Sequence, residues 1–140
     1  MQDFNKRIIL VVRKDLEPWQ IANTIAHISA YIGNQLKDTF DTGESFITKD
    51  DIAHPRNSQY PIIVKRAKSS EQLNNFMDKA REANVLHHGF IREMIEHADD
   101  VDLQKELSTK HDTEVEYLGI GVFGENEAVD KLTKKYGLWE

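Results

Sequence analysis

At 140 residues, 39% of them hydrophobic and 30% charged, the chain is sized and composed for one soluble globular domain over 1–140 and is too apolar for disorder. It has no cysteine, which excludes disulfides, thiolate nucleophiles and thiolate metal sites and suits a reducing, cytoplasmic compartment. Its net charge of −6 repels polyanions, so nucleic acid is disfavoured as a partner. No apolar run approaches the roughly 18 residues of a membrane span, and the opening MQDFNK lacks the regions of a signal peptide.

Residues 6–12 contain Ile8, Ile9, Leu10, Val11 and Val12 without alternation, as expected of a strand covered on both faces of an α/β sheet. Pro18 suits a first helical turn, and Ile21, Ile25, Ile28, Ile32 and Leu36 then trace one stripe of a helix running to about Phe40. Residues 41–59 are turn-rich, with a short strand expected at 45–48. YPIIVKRA (60–67) reads as a second buried strand whose Pro61 fits a beginning or an edge. Ser69 and Gln72 have capping-box spacing, and Leu73, Phe76, Met77, Ala80 and Ala83 form the apolar stripe of the helix that follows.

VLHHGF (85–90) predicts a short strand. Phe90, Ile91, Met94, Ile95 and Ala98 have helical spacing, and residues 101–110 either extend that helix or form a polar connector. In EVEYLGIGVFG (114–124), alternation puts Leu118, Ile120 and Val122 on one strand face and Val115, Tyr117, Gly119, Gly121 and Phe123 on the other. The two glycines leave that second face bare, for a closely packed helix or for a pocket. A last helix starts near Glu125, buries Val129, Leu132 and Tyr136, and is expected to stop at Gly137.

Ligands of open α/β sheets bind beyond the carboxyl ends of strands, so Arg13, Lys14 and Asp15 are the first candidates. Arg13 and Lys14 suit an anion and Asp15 a hydroxyl or a base; alternatively, Arg13 and Asp15 satisfy each other in a charged turn. His27 lies off the isoleucine stripe, one turn after Asn23, and is either an acid, base or hydrogen-bond donor or a half-buried histidine without a task. The six histidines show no metal-binding spacing, and adjacent His87 and His88 point to opposite faces of a strand, so no metal is expected. GIGVFG (119–124) mimics a dinucleotide fingerprint, but the strand runs through it and too little chain follows for the second strand, so no cofactor is expected either.

ILVVRKDL followed by IANTIAH resembles the opening of the type II peptidyl-tRNA hydrolases, with their VVRTDL strand and IAAQCSHA helix. YLGIGVFGENEAVDKLTKKYGLW resembles their closing strand and helix. The same two ends, with Asn23, look still more like an uncharacterised domain-of-unknown-function family sharing that fold. The resemblance covers under half the chain and implies a small mixed β-sheet of about four strands flanked by helices. Arg13, Asp15, Leu16 and His27 match the hydrolase pattern position by position. Between them Glu17-Pro18-Trp19-Gln20 is two residues shorter, and Gln20 stands where the hydrolases place a lysine. GFIREMIEHADDVDLQKELS occupies the region of their acidic D-A-G-x-T-Q segment, so the charge pair on which hydrolysis would depend is missing.

The leading expectation is therefore a domain of unknown biochemical role that binds a small molecule beside Arg13, Lys14, Asp15, Asn23 and His27. One alternative is a peptidyl-tRNA hydrolase with Lys14 in place of the missing lysine. Another is an interaction module in which an exposed Trp19 or Trp139 anchors another chain or a second copy.

Overall fold

Ile8, Ile9, Leu10, Val11 and Val12 are each at most 1% exposed, because the strand that carries them is covered on both faces. In the computed structural model, which describes residues 2–140, this strand β1 (Lys6–Arg13) lies at the centre of a five-stranded mixed sheet. Residue 1 of the expected domain lies outside the described residues. Helix α1 (Pro18–Leu36) follows β1, and residues Lys37–Thr39 form a 3-10 turn. The chain then runs through β2 (Ser45–Ile47), β3 (Ala53–Pro55), β4 (Ile62–Ala67), α2 (Ser70–Ala83) and β5 (Leu86–Ile91). It closes with α3 (Arg92–Glu96), α4 (Asp100–Leu107), β6 (Tyr117–Glu125), α5 (Asn126–Thr133) and β7 (Gly137–Leu138). The strand order is β5-β6-β1-β4-β7, with β1 parallel to β4 and antiparallel to β6.

Odd and even residues of β1 feed separate cores, as strand alternation requires. Ile8, Leu10 and Val12 pack with Ile28 and Ile32 of α1, whereas Ile9 and Val11 pack with Leu73, Phe76, Met77 and Ala80 of α2. The bare strip at Gly119 and Gly121 is filled by α1 and forms no pocket. A Cβ on Gly121 would lie 2.4 Å from Ile28 Cγ2 and 2.7 Å from Ile32 Cδ1, and one on Gly119 would lie 2.7 Å from Thr24 Cγ2. Thr24, off the isoleucine stripe, is buried for this reason, with its hydroxyl donating to the Gln20 carbonyl at 2.7 Å.

A β-bulge corrects the expected faces at the start of β6. Pairing shifts between Phe90↔Gly119 and Ile91↔Tyr117, skipping Leu118. Beyond a bulge the alternation changes phase. Tyr117 therefore joins the α2-side core with Ile120 and Val122, while Leu118 joins the α1-side core.

The other departures lie where side-chain pattern competes with backbone pairing. The sheet has five strands instead of about four because Gly137 and Leu138 pair antiparallel with Arg66 and Lys65, and α5 ends at Thr133 instead of reaching Gly137. β2 and β3 pair as an exposed two-stranded ribbon within 41–59. α1 stops at Leu36, short of Phe40, where Lys37 adopts φ 52°. Phe90 and Ile91 belong to β5, which leaves α3 only five residues. α4 is a separate helix, capped by the Asp99 carboxylate accepting from Val101 N at 2.7 Å.

Candidate ligand-binding cleft

The five residues named from the sequence fall into four places. At the end of β1, Arg13 is 8% exposed and donates Nε and Nη2 to the two carboxylate oxygens of Asp15, both at 2.9 Å. Its Nη1 donates to Glu116 Oε1 at 2.7 Å, and Arg92 donates to the same carboxylate at 3.0 and 3.2 Å. The hydrogen bonds of Arg92, then those of Arg13, hold the Glu116 carboxyl down at about 2. Arg13 likewise holds Asp15 below the usual carboxylate range. This knot ties the β1 turn to α3 and to the entry of β6, and within it Arg13 and Asp15 satisfy each other. Lys14 is exposed and faces a different hollow, with Arg66 and Lys68. Asn23 is exposed on α1, outside the lining of the cleft next described.

His27 lines a cleft of about 680 Å³ between α1, β5 and the α3–α4 segment. Its ring stacks on buried Phe90 with centroids 4.8 Å apart and an angle of 12° between planes. One turn further along α1, Tyr31 stacks on His88 at 3.9 Å and 16°. The two pairs form a continuous ring-faced wall. Asn34, His97, Asp100 and Gln104 supply polar groups around it, and His97 Nε2 lies 2.7 Å from Glu106 Oε2.

Burial, followed by the neighbouring His27 and His87, lowers the His88 pKa and so favours its neutral ring. Neither His27 nor His88 has a hydrogen-bond partner among the described residues. Two imidazoles with unoccupied ring nitrogens thus border one cavity, suited to accept, donate or exchange a proton with a guest. Among the described residues, no three His, Cys, Asp or Glu side chains converge as a metal site.

Of the cleft residues, His27 alone is a ligand-binding candidate on the sequence. Tyr31 and Asn34 follow it at i+4 and i+7 on the same helix face, a spacing that marks the wall once His27 is taken as its first member. His88 and Phe90 become legible only when β5 is placed against α1. Trp139, expected to be exposed, is half-buried against the α1-side core, whereas Trp19 is 60% exposed.

The fold and the cleft define an α/β domain with a mixed five-stranded sheet and a ring-lined hollow against its edge strand. The chain belongs to the DUF2000 family of proteins of unknown function, whose model matches residues 6–140. A solved structure of a protein of unknown function, Atu0240 from Agrobacterium tumefaciens strain C58, is 23% identical with a TM-score of 0.84 over 99% of this chain and 100% of that one. It shares the fold. No curated protein matches the chain. No helix among the described residues is long and apolar enough to cross a membrane.

Proposed function

We propose that this domain binds a small planar ligand, aromatic or heteroaromatic and carrying hydrogen-bonding atoms on its edge, in the cleft between α1 and β5. The observation that carries this reading is the ring wall itself, Tyr31 on His88 and His27 on Phe90, with both imidazoles lacking hydrogen-bond partners among the described residues. Ligand sites are mostly apolar hollows of about 300–1,000 Å³ with a few convergent polar groups, and this cleft matches that description. A flat guest would continue the stack and use His27, Asn34 or His88 for orientation.

The test is an NMR screen of histidine-ring resonances against purines, pyrimidines and aromatic acids. Compounds that move His27 and His88 together are expected, and Tyr31→Ala should weaken their binding by about tenfold, the upper range for one lost ring contact. A screen in which no compound shifts either ring would sink the proposal.

The peptidyl-tRNA hydrolase-like fold belongs to the same proposal, without that chemistry. Gln20, at the position of the hydrolase lysine, uses its side-chain oxygen to accept from Glu17 N at 3.0 Å and so caps α1. Residues 92–107 form α3 and α4 in place of an acidic segment. Incubation with a blocked aminoacyl-tRNA is therefore expected to give no turnover. Hydrolysis abolished in Lys14→Ala or His27→Ala would restore the enzyme reading. A cytoplasmic location, suggested by the absence of cysteine, is checked by cell fractionation.

A further inference from the structure

β1 and β4 are adjacent and parallel, yet the chain leaves them to opposite sides, through α1 on one face of the sheet and α2 on the other. Such a divergence opens a crevice at the carboxyl ends of the two strands, the place where open α/β sheets take their ligands. Lys14 directly follows β1 and Lys68 directly follows β4, with Lys14 N donating to the Ala67 carbonyl at 2.9 Å to bind the two exits together. Arg66 and Lys135 complete the cationic lining of a hollow of about 200 Å³, with Gln72, Tyr136 and Gly137 as its neutral wall.

The cations of this hollow have no carboxylate partner among the described residues, and for its arginine that is exceptional. Of the six arginines in the sequence, Arg7, Arg13, Arg56, Arg81 and Arg92 each have a carboxylate partner. Arg66 has none among the described residues, nor do Lys14, Lys68 or Lys135. Four cations from three segments thus converge on one hollow of a protein whose net charge is −6. All four residues are exposed and solvated, and together they set up a positive potential over the hollow that an anion would lower. α2 adds the positive end of its dipole, since it begins at Ser70 beside the hollow and Ser69 Oγ caps it by accepting from Gln72 N at 3.4 Å. By contrast, the hollow on the α2 side of β5 has its cations matched, Arg81 with Asp112 and Lys110 with Glu93.

We propose that this crevice is an anion site for a phosphoryl or diphosphoryl group. A guanidinium fork with lysines on several sides fits a multiply charged tetrahedral anion better than a single carboxylate. The volume lies below the roughly 300 Å³ at which pockets begin to hold whole ligands, so the site takes the phosphate and leaves the remainder of a ligand outside. It is separate from the ring-lined cleft and shares no lining residue with it.

Titration calorimetry of the full chain at low salt, with pyrophosphate and glycerol phosphate as probes for the free and the esterified group, tests the assignment. Binding of at least one probe is expected, weakened as salt rises. Arg66→Gln and the double variant Lys14→Gln/Lys68→Gln should each weaken it by about tenfold or more, a loss in the range of a charge-assisted contact. Lys105→Gln on α4 and His88→Ala in the ring-lined cleft should leave it unchanged, so failure of this site and failure of the cleft are told apart. Thermal melts verify that each variant is folded. The assignment is overturned if neither probe binds, if binding is equal in the charge-removing variants, or if only a 5′-phosphorylated RNA hairpin binds.

Discussion

Gly121→Ala is expected to destabilise the protein by about 3 kcal/mol, the upper range for overpacking a filled core. The added methyl would lie 2.4 Å from Ile28 Cγ2, a branch close to the helix backbone that cannot swing away, and 2.7 Å from Ile32 Cδ1. α1 would have to lift from the sheet, thinning the core that holds Leu10, Val12 and Leu118. Gly124→Ala provides the control, because its methyl would meet Val129 and Val85 at an ordinary 3.5 Å and should change stability by no more than about 0.5 kcal/mol. Urea titrations followed by tryptophan fluorescence measure both. Ile28→Ala opens the space that the methyl needs, so the double variant Gly121→Ala/Ile28→Ala should lose less than the two single changes together. Equal losses for Gly121→Ala and Gly124→Ala would contradict the close approach of α1.

Arg13→Met is expected to cost about 2 kcal/mol near neutral pH and to flatten the acid limb of the stability curve. The variant keeps the apolar stem but strips Asp15 of its guanidinium and leaves Glu116 with Arg92 alone. The sign follows from the carboxyls. Glu116 titrates at about 2 in the folded protein instead of 4.5, so its stabilisation is fully present above the unfolded value and fades as the pH falls through the folded one. Its side chain is 39% exposed, and with solvent screening the contribution is about 1–2 kcal/mol. Asp15 acts in the same direction. His88, whose pKa burial lowers, adds a loss at higher pH than the carboxyls do, as the pH falls through the ordinary histidine range and protonation favours the unfolded ring. Between about pH 5 and 2 the wild type should lose more stability than Arg13→Met, and parallel curves would show that the Arg13 knot contributes nothing there.

The Arg13 knot is built from residues that the sequence made visible and whose task it left open. Arg13 and Asp15 stand two apart at a strand exit, which is compatible with a ligand site and with a self-satisfied turn alike. The deciding partners, Glu116 and Arg92, lie 103 residues from Arg13 and 24 residues from Glu116 respectively. Lys14 is the complementary case. It looks like another charge of the same turn until β4 brings Arg66 and Lys68 beside it, from a segment whose own pattern signals only a strand.

By itself the sequence determined the secondary elements with long, unbroken periodicity: the doubly buried β1, the isoleucine stripe of α1, the capped start of α2 and the strand β6. These depend on side-chain period, which neighbouring residues carry whatever the remainder of the chain does. Only tertiary structure decided what depends on pairing across the chain. It turned the glycines of β6 into a seat for α1, exchanged Tyr117 and Leu118 between cores at a bulge, and made β7 from two residues with no period of their own. It also separated the five candidate residues among an ion-pair knot, an exposed helix turn, a ring-lined cleft and a cationic crevice. A site is a convergence of residues distant along the chain, and periodicity holds no information about which distant segment arrives beside a given side chain.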